Sequence, residues 1–142
     1  MEQNRREFLK NCGKVSASLI CGSSMLILPG CGGIRYLAFD TEDNALVVKK
    51  SDFIEKPFAA IKSRNLPAPV YIHKIDEENY SAVLMECTHK KCELSAAGDL
   101  LICPCHGSEF SNTGEVLSPP AEQPLQKFTV RTDAENVYIE MT

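Results

Sequence analysis

Cys87-Thr88-His89-Lys90-Lys91-Cys92, then ten residues, then Cys103-Pro104-Cys105-His106-Gly107-Ser108-Glu109-Phe110: this stretch holds four of the seven cysteines and two of the three histidines of the chain. Each box sets a cysteine and a histidine on one tight loop, one residue apart at Cys87 and His89, two apart at Cys103 and His106. Two such loops brought together offer two thiolates and two imidazoles at one place, a donor set suited to zinc or to an iron-sulfur cluster. The rest of the chain is read as what delivers and holds that site.

Outward from the boxes the sequence reads as short strands. Residues 70–75 and 80–85 alternate in polarity about the polar turn Asp76-Glu77-Glu78-Asn79, which predicts a hairpin leading into Cys87. Leu100-Leu101-Ile102 follows Gly98-Asp99 and leads into Cys103. Ala45-Leu46-Val47-Val48 predicts an earlier strand, and residues 128–130 and 137–139, about Asp133-Ala134-Glu135-Asn136, predict a closing hairpin. Pro57, Pro67 and Pro69 predict an irregular crossing between the first and second strands. Short strands at this spacing make the fold class all-β, an antiparallel β-sandwich or small barrel with two metal-binding loops. His73 falls within a strand, away from the boxes, and is read as a surface or partly buried side chain.

The donor set separates the candidate metals. A closed zinc site commonly repeats one ligand type within each loop at two to four residues' separation, and Cys87-x-His89 is tighter than that. Cys87 and Cys92 have the four-residue gap of a plant-type cluster, yet the next cysteine follows after ten residues instead of two. What remains is an iron-sulfur pair in which two histidines replace two cysteines on one iron. A structural zinc domain stays as the remote alternative.

Cys-Thr-His-x-x-Cys and Cys-Pro-Cys-His-Gly-Ser resemble the two boxes of the Rieske proteins, in the high-potential branch of cytochrome bc complexes and arsenite oxidase. The resemblance covers residues 45–142. It implies one 2Fe-2S cluster, with Cys87 and Cys103 on one iron and His89 and His106 on the outward-facing other. It implies a disulfide between Cys92 and Cys105, a bond that persists in an oxidising compartment. It places the Ser108 hydroxyl as a donor to a bridging sulfide, which raises the potential within a range of roughly −150 to +300 mV. Ser118-Pro119-Pro120-Ala121 resembles the family's proline-rich third loop, which covers the cluster. Two positions depart from the pattern. Phe110 stands where many quinol-oxidising members have tyrosine, which predicts a lower potential. Lys90 stands where the bc-complex members have leucine, so the tip is basic and points to an acidic or polar partner surface. Reduction is expected to couple to proton uptake at the two histidines.

The N-terminal segment reads as an address. Asn4-Arg5-Arg6-Glu7-Phe8-Leu9-Lys10 resembles the twin-arginine export motif, and residues 15–28 are apolar or small and uncharged, the length of a signal-peptide core. Leu28-Pro29-Gly30-Cys31 resembles a lipobox with an unusual proline, which makes Cys31 the candidate lipidated residue. Cys12 and Cys21 lie in this signal and receive no site. The expected organisation is a signal over 1–30, a tether over 31–44 and the cluster domain over 45–142.

Composition bounds the function. With 44% hydrophobic and 24% charged residues the chain is globular rather than disordered. The first thirty residues carry Arg5, Arg6, Lys10 and Lys14 against Glu2 and Glu7, a net of +2, so the chain's −4 leaves −6 on residues 31–142. An acidic body with no basic cluster argues against nucleic acid and is compatible with a basic protein partner. The expected function is electron transfer as the iron-sulfur subunit of a membrane-associated quinol-cytochrome c reductase-like complex. Its partners would be a redox protein, quinol and, through the N-terminal anchor, the outer face of the bacterial membrane. The alternative is the small subunit of an arsenite-oxidase-type periplasmic oxidoreductase, or a free-standing carrier.

Overall fold

The structure, a computed structural model, describes residues 33–141. The twin-arginine motif, the apolar core of the signal and Cys31 lie outside the described residues. The remainder forms three antiparallel sheets: β1 (Asp40–Glu42), β2 (Ala45–Lys49), β11 (Asn136–Glu140) and β10 (Val130–Thr132); β3 (Phe58–Ile61), β4 (Val70–Lys74) and β5 (Tyr80–Leu84); and β6 (Ser95–Ala97), β7 (Leu100–Ile102), β8 (Glu109–Ser111) and β9 (Val116–Ser118). The fold is all-β and antiparallel, as its short strands and polar turns predict.

The middle sheet is buried on both faces. Val70, Tyr71 and Ile72 are all 0% exposed, so alternation along β4 separates two cores rather than core from solvent. Ala59, Ile61, Val70, Ile72, Ala82 and Leu84 pack with Leu46, Val48, Val137 and Ile139 of the first sheet. Ala60, Tyr71 and Val83 pack the other way, with Leu101, Phe110, Cys87 and Cys103. The candidate metal site is thereby built into the second of two cores, which ties its geometry to the body.

The crossing between Ala45–Val48 and Val70 is more regular than the prolines predict. A 3-10 turn over Lys50–Phe53 buries Phe53 edge-on to Tyr80, and β3 follows Pro57, whose carbonyl accepts from Lys74 N–H. Residues 34–44, expected in the tether, join the body. Leu37 N–H donates to Ala60 C=O, Ala60 N–H donates to Arg35 C=O, and β1 pairs with β2. Asp43 and Asn44 close that hairpin with φ of 45° and 65°, the positive values that a two-residue type I′ turn requires. The predicted strand over 128–130 divides between sheets: Phe128 N–H donates to Ala82 C=O beside β5, and β10 begins at Val130.

The two long hairpins close with one device. Asp76 Oδ1 accepts from the N–H groups of Glu78 and Asn79, and Asp133 Oδ1 accepts from those of Glu135 and Asn136. Such Asx-turns are local, which is why both were legible as turns. Gly114 is held by a tertiary contact instead. At its φ of 87° an added Cβ would lie 3.0 Å from Val83 Cγ1 and 3.2 Å from Leu125 Cβ. Gly114→Ala is expected to destabilise by at least the ~1–2 kcal/mol of a left-handed non-glycine residue. Thermal unfolding checks this, and an unchanged midpoint would contradict it.

Candidate metal centre

Loop 87–92 leaves β5 and enters β6; loop 103–108 joins β7 to β8. The two share one backbone design. Cys87 C=O accepts from Lys91 N–H at 2.8 Å while Cys87 N–H donates to Cys92 C=O at 2.8 Å. In the second loop Cys103 C=O accepts from Gly107 N–H at 3.0 Å while Cys103 N–H donates to Ser108 C=O at 2.8 Å. The fourth residue after each cysteine takes positive φ, 63° at Lys91 and 78° at Gly107. Glycine suits that conformation at Gly107. Lys91 adopts it against its own Cβ, and its ammonium is held by Glu86 at 2.9 Å.

The loops sort their donors by depth. Cys87 and Cys103 are 1% and 2% exposed, unpaired thiols facing the second core. His89 and His106 are exposed, their ring centroids 5.2 Å apart and nearly perpendicular. Cys92 and Cys105 form a disulfide across the loops, and their sulfurs lie within 4.8 Å of each other and of Cys103 Sγ. Being oxidised to each other, those two sulfurs are not available as thiolate ligands.

Burial pushes the Cys87 thiol up, but the N–H groups of His89 and Lys90, the Cys103 thiol and the Ser108 hydroxyl bring it below its ordinary range. This is a setting that favours a thiolate ligand. Ser108 itself is fully buried, and its Oγ accepts from Ala121 N–H at 3.0 Å. With that lone pair occupied, its own proton is left to donate toward Cys87 sulfur.

A third segment, which contains a cis Pro119–Pro120 bond, is fastened to both loops. Ala121 holds Ser108 in the second loop, and Thr88 Oγ1 donates to Gln123 C=O at 2.7 Å from the first. Thr88 and Gln123 were not legible as partners, since 35 residues separate them and a backbone carbonyl carries no sequence signal. Phe110 is fully buried in the same core as Cys87 and Cys103. His73 is half-buried and meets Asn112 Nδ2 at 3.2 Å through Nε2, apart from the loops, and burial lowers its pKa. A groove of about 690 Å³ is lined by Phe39, Leu46, Lys62, Arg64, Leu66 and Phe128 among others, and by no residue of either loop.

The two buried thiols and two exposed imidazoles fit a cluster whose irons differ in ligand type. The family profile described as the Rieske 2Fe-2S domain matches residues 43–129. The chain is 36% identical over 107 residues to the cytochrome b6-f complex iron-sulfur subunit of Cyanothece sp., covering 67% of this chain and 57% of that protein. It is 34% identical over 61 residues to the subunit of the same name from Chlorobaculum thiosulfatiphilum, covering 42% of this chain and 34% of that protein. The chain therefore spans about a third to just over half the length of these relatives. The crystal structure of the cyanobacterial plasma membrane Rieske protein PetC3 from Synechocystis PCC 6803 superposes with a TM-score of 0.56 at 27% identity, covering 66% of this chain and 98% of that one.

Proposed function

Since the chain belongs to the Rieske 2Fe-2S domain family and carries a 2Fe-2S cluster, we propose that it transfers single electrons as the iron-sulfur component of a membrane-associated redox complex. In this reading Cys87 and Cys103 hold the inner iron and His89 and His106 hold the outer one. The carrying observation is the sorting by depth: the Cys87 and Cys103 thiols are buried, and the His89 and His106 imidazoles are exposed on one tip, 5.2 Å apart. The cluster supplies a one-electron couple when bound. The imidazoles carry that electron between solvent-facing partner and protein interior, while the buried core behind Cys87 and Cys103 keeps water from the sulfurs.

The relatives' names describe a cytochrome b6-f complex. A cytochrome-containing complex that takes electrons from quinol is the partner proposed here. Residues 1–30 serve as a twin-arginine signal and Cys31 as the lipid-bearing anchor, on the export and lipobox patterns already described. Among the described residues no helix is long and apolar enough to cross a membrane.

The test is the electron paramagnetic resonance spectrum of the dithionite-reduced protein, with iron and sulfide analysis. A rhombic signal with average g below 2 is expected, lost in His89→Ser and in His106→Ser. A colourless protein with one zinc per chain would overturn the proposal.

A further inference from the structure

The charges of the body are sorted along β4 and β5. At one end Val70 pairs with Leu84, and the chain passes through Met85 and Glu86 into Cys87. At the other Lys74 pairs with Tyr80, and the turn there carries Asp76, Glu77 and Glu78. The β10–β11 turn joins that far end, because Thr132 Oγ1 donates to Glu78 C=O, and it adds Asp133 and Glu135. Facing these five carboxylates are three lysines: Lys74, already paired with Glu77 at 2.6 Å, Lys50, whose N–H donates to Glu135 C=O, and Lys49, opposite Asn136. Donors from the Glu78 and Asn79 backbone and the Asn79 side chain hold Asp76 below the usual carboxylate range. The Tyr138 hydroxyl, then the Glu135 and Asn136 N–H groups, hold Asp133 well below it. These hydrogen bonds favour the charged form of Asp76 and Asp133.

The cluster end is balanced in charge, with Lys90 as its exposed cation. Lys91 is neutralised by Glu86. Lys90, beside His89, is exposed and has no ion-pair or side-chain hydrogen-bond partner among the described residues. On the β3–β4 connection at this end, Lys62 lies 4.0 Å from Glu93 and Arg64 is exposed without an ionic partner among the described residues. Set against them are Glu122 on the third segment and Glu109, which follows Ser108 and accepts from the Ser118 hydroxyl at 3.1 Å. The molecule is acidic in sum; its far end is net negative, while the end where the two imidazoles emerge sets Lys62, Arg64, Lys90 and Lys91 against Glu86, Glu93, Glu109 and Glu122.

Resting on the electron-transfer reading, we infer that the imidazole tip docks on an acidic protein face, with Lys90 as the cation that orients the approach. Net charge alone would repel an acidic partner. The sorted charges turn the molecule so that His89 and His106 lead and the five carboxylates trail, a steering effect that acts on encounter and fades with salt. A lipid headgroup would satisfy the lysine but leave the imidazoles facing no redox centre, which is why the occupant is a protein.

The probe is a gold electrode bearing a carboxylate-terminated monolayer, with the full chain, cluster-loaded, in mild detergent. A reversible one-electron wave is expected at low salt, weakening as salt rises. Lys90→Glu should slow electron exchange at least tenfold, and Lys50→Glu at the far end should leave it unchanged. Equal rates in Lys90→Glu and the unmodified chain, or faster exchange on an ammonium-terminated monolayer, would overturn the inference. Phosphatidylglycerol vesicles that lose the Lys90→Glu chain as strongly would assign the lysine to the membrane and overturn the protein partner. An intact cluster spectrum in every variant keeps these outcomes apart from failure of the electron-transfer reading, which would show as no cluster at all.

Discussion

Replacing Cys92 and Cys105 together by serine is expected to cost about 3 kcal/mol of stability, the chain-entropy value for a bridge spanning 13 positions. The expectation rests on how little else joins the two loops. Each is closed by its own pair of backbone hydrogen bonds, and among the described residues no backbone hydrogen bond runs directly from one to the other. Both lean on the third segment, through Thr88 and Gln123 on one side and Ser108 and Ala121 on the other. Without the disulfide, 87–92 and 103–108 are related through that segment, the β6–β7 ladder beyond them and the core beneath. The variant should bleach at a temperature well below the unmodified protein, since each kcal/mol moves the midpoint of a domain this size by roughly 4–8 °C. Visible absorption followed through thermal unfolding reads this directly. Coincident melting curves would mean that the core behind Cys87 and Cys103 holds the loops unaided.

Ser108→Ala is expected to act on both stability and potential. Ala121 N–H, now bonded to Ser108 Oγ at 3.0 Å, would be left buried without an acceptor, at a cost of about 1–3 kcal/mol. The same change removes the hydroxyl proton available to Cys87 sulfur. A donor to sulfur favours the reduced, more negative cluster, so its loss lowers the potential. If the donor favours reduction by ~1.4 kcal/mol, the fall is about 59 mV for one electron. Phe110→Tyr tests the opposite sign. Phe110 is fully buried in the core that contains Cys87 and Cys103, so Phe110→Tyr would place a new donor in that core. Redox titration of the two variants should bracket the parent. A potential in Ser108→Ala equal to the parent's would leave the hydroxyl with a purely structural role, as the anchor of Ala121.

Some of the fold was legible because its signals are local. Asp76 and Asp133 each cap their own turn two and three residues on, so both hairpins stood out as polar breaks between apolar runs. The Asp43-Asn44 turn has no such cap among the described residues, and it lies within the tether expected over 31–44 although β1 pairs with β2 across it. The strands of the third sheet span three residues each, too short for any period to appear. β3 was hidden between prolines, and its place in a sheet depends on Lys74 and His73 across the ladder. Alternation in β4 marks two faces of a strand, and pattern alone cannot tell one core from two.

By itself the sequence determined the all-β class, the cluster chemistry and the family, because the boxes that carry them are contiguous stretches of a few residues. Tertiary structure alone decided that Cys87 and Cys103 face a core while His89 and His106 face solvent. It also decided that Ser108 is oriented from Ala121, and that Lys90 has no ionic partner among the described residues where Lys91 is neutralised by Glu86. Ligand type is a property of a residue and its near neighbours. Depth, proton direction and unpaired charge depend on what packs against that residue from elsewhere in the chain, and they take shape only when the three sheets close on one another.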